Sequence, residues 1–160
     1  MDQISTFLWF DGQALEAAEF YTALFPDSRI TDRTPSPIDY PGGAAGQIIT
    51  VAFTLDGRGF IAMNGGPGHP FTDAVSLSID CDDQAEVDRY WDALSDGGMP
   101  VACGWIKDRF GLSWQVTPRI LPRLLADPDR AKARRVMEAM TRMVKLDVAA
   151  IEAAAKGDAP

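Results

Sequence analysis

The chain carries one histidine, His69, and two cysteines, Cys81 and Cys103. A thiol nucleophile needs an adjacent base, and the sole imidazole lies in Gly65-Gly66-Pro67-Gly68-His69-Pro70, a stretch that suits no regular element. The cysteines show neither metal-ligand spacing nor a secretory context, so both read as reduced, partly buried thiols. Glu16 and Asp108 are carboxylates without an evident catalytic partner, and Asp108 is expected to fix the turn Lys107-Asp108-Arg109. What remains is recognition chemistry. Trp9, Trp105 and Trp114 fall on expected sheet segments, where an indole can stack on a planar or apolar ligand while hydroxyls and amides anchor its polar atoms. Trp91 sits on a helical stripe and is expected in the core.

Composition narrows the partners. With 160 residues, 46% of them hydrophobic, the chain can bury a sizeable core as a single domain, 1–160. A net charge of −8 repels phosphate backbones, so no nucleic acid is expected. Arg130, Lys132, Arg134 and Arg135 read as a solvated helix face. No apolar run approaches the ~18 residues of a membrane helix. Met1-Asp2-Gln3 starts no signal-peptide pattern, so no membrane partner and a cytoplasmic location are expected.

The elements that must position these side chains can be read from periodicity. Ile4 to Phe10 is a short aromatic and β-branched run, a buried strand. Ala14, Ala17, Ala18, Tyr21, Leu24 and Phe25 recur at helical spacing until Pro26. Arg29 to Thr34 suggests a strand, and the Pro/Gly-rich Pro35 to Gly46 a loop. Gln47 to Leu55 and Gly59 to Met63 flank Asp56-Gly57, a hairpin signal. After the linker, Val75 to Ile79 alternates as a strand, with Ser76 and Ser78 on one face. Asp83-x-x-Glu86 is a capping box ahead of the stripe Val87, Tyr90, Trp91 and Leu94, and Gly97-Gly98 ends that helix. Pro100 to Lys107 and Leu112 to Val116 supply further strands.

The order therefore repeats. Setting Phe20-Tyr21 against Tyr90-Trp91 also matches Glu16 to Glu86, Ala23-Leu24 to Ala93-Leu94, Thr6 to Ser76 and Leu8 to Ser78. The expected fold class is α+β, with two tandem βαβββ modules (1–65 and 71–118), a linker at 65–70 and C-terminal helices over 119–156. Asp127-Pro128 is the expected start of one of those helices, with Asp127 as cap, and Met137, Met140 and Met143 or Val144 are expected to pack on its apolar side. Val148 to Ala155 forms the last helix, docking on the body or on a second subunit.

Phe7-Leu8-Trp9-Phe10-Asp11-Gly12 followed by Glu16-Ala17-Ala18-x-Phe20-Tyr21 resembles the opening of the PhnB-like branch of the vicinal-oxygen-chelate superfamily, the glyoxalase/bleomycin-resistance/dioxygenase group. Glu86-Val87-Asp88-Arg89-Tyr90-Trp91 and Cys103-Gly104-Trp105-x-Lys107-Asp108-x-Phe110-Gly111-x-Ser113-Trp114-Gln115 strengthen it, with Arg135-Val136-Met137 and Lys145-Leu146-Asp147 near the end. The resemblance implies paired modules whose curved mixed sheets surround a cavity, generally in a homodimer. It also implies a divalent metal site near the start of each module's first strand and on its last strand. Those positions fall near Thr6, Ser76, Met63 (or Asn64) and Gln115. Only Gln115 among them is a plausible ligand, and a site needs three or four good donors. No metal and no other cofactor is therefore expected.

Members of this branch often carry a demethylubiquinone methyltransferase name. A methyltransferase of the usual kind needs a strand, a glycine-rich turn and a helix, whereas Gly42-Gly43, Gly65-Gly66 and Gly97-Gly98 lead into loops or strands. The expectation that results is a binding protein for a small organic molecule, planar or apolar, without a conventional metal site. The alternative is an enzyme of the same superfamily, isomerase, lyase or oxygenase-like, with a noncanonical site. The cavity-lining candidates are Thr6, Leu8, Met63, Ser76, Ser78, Trp105 and Gln115.

Overall fold

The computed structural model describes residues 4–158. Its contacts divide the chain into two compact units, Met1–Pro70 and Phe71–Pro160. In the first, β1 (Thr6–Phe10), α1 (Ala14–Leu24), β2 (Arg29–Pro35), β3 (Ile48–Leu55) and β4 (Arg58–Asn64) form a sheet in the order β1-β4-β3-β2. In the second, β5 (Ser76–Cys81), α2 (Gln84–Ser95), β6 (Met99–Pro100), β7 (Trp105–Lys107) and β8 (Ser113–Pro118) repeat that order as β5-β8-β7-β6. The pairs β1/β4 and β5/β8 are parallel and the other pairs antiparallel. Each unit is thus a βαβββ module in an α+β fold, and α3 (Ile120–Leu125), α4 (Arg130–Met140) and α5 (Val148–Lys156) follow the second.

Each helix covers one face of its own sheet. Ala14, Ala17, Ala18 and Tyr21 of α1 are fully buried. Tyr21 stacks on Phe53 and Phe53 on Phe60, with ring centroids 6.4 and 5.4 Å apart. Such pairs add about 0.5–1.5 kcal/mol beyond their buried area. The small α1 residues are matched to large sheet residues. In the second module α2 supplies the bulk instead, through Val87, Tyr90, Trp91 and Leu94, against Ile79, Ile106 and Val116. The hairpin between β3 and β4 turns on Asp56 and Gly57, both at positive φ (47° and 74°), as a tight two-residue turn requires.

The Asp83 half of the capping box holds, while Glu86 reaches back one residue past the cap. Asp83 Oδ1 accepts from the Glu86 amide at 2.9 Å, and Glu86 Oε2 accepts from the Asp82 amide at 2.8 Å. The cap of α4, however, is Asp129, whose Oδ1 accepts from the Ala131 and Lys132 amides; Asp127 stands outside and accepts from Asp129 N. Pro100 to Lys107 is not one strand either. It breaks at Cys103 (φ 56°) and Gly104 (φ 81°), whose amides donate to Met143 and Val144 carbonyls, both at 2.9 Å, rather than to a neighbouring strand. Leu121, Val136, Leu146, Ile151 and Ala155 form the core of the C-terminal helices, with Met140 and Met143 packed against it. Met137 and Val144 are exposed instead. Gln84 ties α2 to this layer, its Oε1 accepting from Val148 N at 2.7 Å and its Nε2 donating to Leu146 O at 3.2 Å.

The duplication has a one-residue step. The helix caps Gln13 and Asp83 keep the spacing that matches Phe20-Tyr21 to Tyr90-Trp91. The strands do not. The Phe10 carbonyl accepts from Gly65 N at 3.0 Å where that of Cys81 accepts from Arg119 N at 2.9 Å, so Phe10 corresponds to Cys81. Asp11-Gly12-Gln13 joins β1 to α1, and only Asp82-Asp83 joins β5 to α2. A strand's side chains alternate between faces, so one residue reverses every assignment.

Candidate functional site

The face of each sheet turned away from its helix can be read from the strand pairing. In the first module Thr6 pairs with Phe60, Leu8 with Ala62 and Phe10 with Asn64. Phe60 and Phe53 stack beneath Tyr21, so this is the helix side. Thr6 and Leu8, expected to line a cavity, therefore face α1, and Leu8 is buried. The first-strand position that the resemblance implies falls one residue out of step with the open face in this module, whereas in the second module it falls on that face at Ser76. Met63 lies on the opposite, open face, in a row with Trp9 and Thr50.

Trp9 is consequently an open-face indole. Its Nε1 donates to the Gly66 carbonyl at 2.8 Å, and its ring lies 4.5 Å from that of His69, tilted by 54°. A Cβ on Gly65 would collide with the indole, so glycine is needed for this close approach. Trp9 and His69 hold the segment after β4 against the sheet.

In the second module the same construction brings four of the candidates together. Ser78 pairs with Gln115 and Gln115 with Trp105, one row across β5, β8 and β7. Ser76 pairs with Ser113 and Ser113 with Lys107, the next row. Leu77, Trp114 and Ile106 alternate to the helix side. Gln115 Nε2 donates to Ser76 Oγ at 2.9 Å, linking the rows. Asp73, on the turn before β5, accepts at one oxygen from both Lys107 Nζ (2.8 Å) and Ser113 Oγ (3.0 Å). The Lys107 and Ser113 hydrogen bonds hold the exposed Asp73 carboxyl below its ordinary range. A shallow cavity of about 280 Å³ is lined by Asp73, Val101, Trp105, Ile106, Lys107 and Ser113, near the lower end of ligand pockets.

Lys107, Ser113, Asp73 and Trp9 were not among the expected lining residues. Lys107 and Ser113 carried a signal, since each stands two positions from Trp105 or Gln115 and so shares their face. Asp73 carried none, because a turn residue's direction has no period.

Trp114 is the indole that backs the sheet, its Nε1 donating to Asp108 Oδ2 at 2.8 Å. Asp108 Oδ1 accepts from the Phe110 and Leu112 amides at 2.8 and 3.1 Å. The buried carboxylate is thereby committed to holding the β7–β8 connection.

The residues at the metal positions implied by the family do not fit a divalent ion. Thr6 faces the helix, and Met63 offers a thioether rather than a hard donor. Asn64 Oδ1 accepts from Ala14 N and its Nδ2 donates to Ile48 O, so the amide is engaged within the fold. Gln115 is joined only by Ser76 and Ser78 hydroxyls in its neighbourhood on β5. Among the described residues no group of three His, Cys, Asp or Glu is placed to hold a metal. No helix among them is long and apolar enough to cross a membrane.

The family model described as 3-demethylubiquinone-9 3-methyltransferase matches residues 2–117, both modules but not the helices that follow. The PhnB protein from Bacillus cereus, which carries the same methyltransferase name, is similar at 36% identity with a TM-score of 0.64, over 73% of this chain and 99% of its own. Protein PA1353 from Pseudomonas aeruginosa shares the fold at 23% identity and a TM-score of 0.62, over 74% of this chain and 98% of its own. No curated protein matches. With the module architecture, these matches make the chain a member of the 3-demethylubiquinone-9 3-methyltransferase family, the PhnB-like branch of the vicinal-oxygen-chelate superfamily.

Proposed function

We propose that the chain binds a small organic molecule on the open face of its second module, without metal chemistry. The observation that carries this reading is the adjacency of two rows, Ser78-Gln115-Trp105 and Ser76-Ser113-Lys107, beside one cavity. Trp105 supplies a half-buried aromatic surface there, and the hydroxyls and amide supply fixed donors and acceptors. A binding site needs only that combination of shape and a few polar anchors.

Methyl transfer, the activity in the family's name, is not carried over to this chain. The glycine pairs lie in the β2–β3 loop, after β4 and after α2. None forms the glycine-rich turn from strand into helix that a nucleotide-type methyl donor requires.

The test is a thermal-shift and fluorescence screen with naphthols, naphthoates and menadione. Trp105→Ala and Gln115→Ala should each weaken a hit by about tenfold, the loss expected when one well-placed contact of about 1.4 kcal/mol is removed. Undiminished binding by the double variant would place the site elsewhere.

A further inference from the structure

We infer that Lys107 and Ser113 form an oxyanion subsite, that Asp73 occupies it in the free protein, and that the ligand is an aromatic acid whose carboxylate displaces Asp73. The inference rests on the binding reading above and adds the ligand's chemical class. Lys107 and Ser113 are directly paired across β7 and β8, so their side chains leave the sheet side by side on one face. Both donate to the same oxygen of Asp73. A cation and a hydroxyl donor meeting on one anionic oxygen supply the charge-assisted hydrogen bonds that a carboxylate-binding site uses. Ser113 is 1% exposed, so its hydroxyl is held within the site rather than on the surface.

The acceptor is mounted differently. Asp73 lies on a turn outside the strands, and its side chain is 65% exposed. Releasing it breaks no sheet hydrogen bond and returns a carboxylate to water at little cost. Exposed ion pairs contribute little for this reason. Trp105 lies on the same strand and face as Lys107, two residues away, and lines the same cavity. A planar ring against the indole would carry an attached carboxylate toward Lys107. Asp73 then acts as an internal competitor that a ligand anion must replace.

Calorimetry with naphthoate and with neutral naphthamide of the same shape tests this on the full chain. Asp73→Ala should bind naphthoate about threefold more tightly than the parent, equivalent to about 0.7 kcal/mol and within the range of an exposed ion pair, with naphthamide unchanged. Asp73→Asn, which keeps the size and turn geometry, should move in the same direction. Lys107→Met should erase the preference for naphthoate over naphthamide. If both compounds bind equally and the Asp73 variants change neither, the oxyanion subsite is wrong while the binding reading stands. If neither compound binds the parent or the Asp73 variants, the aromatic-acid ligand is wrong, and the binding reading falls with it when naphthols and menadione also fail to bind.

Discussion

Cys81 and Cys103 looked alike in the sequence and differ sharply in their surroundings. Cys81 is fully buried on the helix side of β5, and burial, then the charges of Glu86 and Asp80, push its thiol up from 9.0 to about 12. Cys103 is half-buried at the break before β7. A chromogenic aromatic disulfide below pH 9.0 should therefore modify Cys103 in the native protein and Cys81 only after unfolding, since the thiolate is the reacting form. Rapid labelling of Cys81 in native protein would contradict its burial. The raised pKa also has a sign. Its contribution to stability is complete below 9.0 and is lost as pH rises toward about 12, where the unfolded chain ionises first. Side-chain chemistry was otherwise partly legible: Asp108 was expected to fix a turn, and it does so through three donors. That one of those donors is Trp114 could not be read, because the bond spans the alternation of β8.

At the scale of elements, the helices were more legible than the strands. The stripe Val87, Tyr90, Trp91 and Leu94 is buried as its spacing demands, because helical periodicity survives a shift in end position. Strand faces do not survive one. The missing residue between β5 and α2 leaves the helices in the apparent repeat register and moves the strands out of it. Ser76, Ser78, Trp105 and Gln115 share a face in the strand pairing, whereas Thr6 and Leu8, placed like Ser76 from the first-strand positions that the family resemblance implies, face the helix. The two kinds of polar anchor in this module should also differ in stability. Asp83→Ala removes an exposed helix cap and should cost about 1 kcal/mol. Asp108→Ala strands two backbone amides and the Trp114 indole N–H, and should cost about 3 kcal/mol or more. Urea unfolding of the two variants checks the order, and equal midpoints would contradict it.

Across the molecule, the duplicated architecture was legible because element order and turn residues recur, and the family match covers both modules. The difference between the modules' open faces was not. The row Phe7-Ile61-Ala52 in the first corresponds to Ser78-Gln115-Trp105 in the second. The largest side chain sits on the edge strand β1 (Phe7) in one and on the inner strand β7 (Trp105) in the other. The polar atoms are all in the second. Gene duplication initially yields two equal surfaces, and a bivalent polypeptide would have kept both rows in the same order of size. Here the order is inverted, so the two open faces would offer a ligand different surfaces. Titration with a ligand of the second module should accordingly saturate at a single molecule per polypeptide. The first module is then free to change its open face without loss of that ligand.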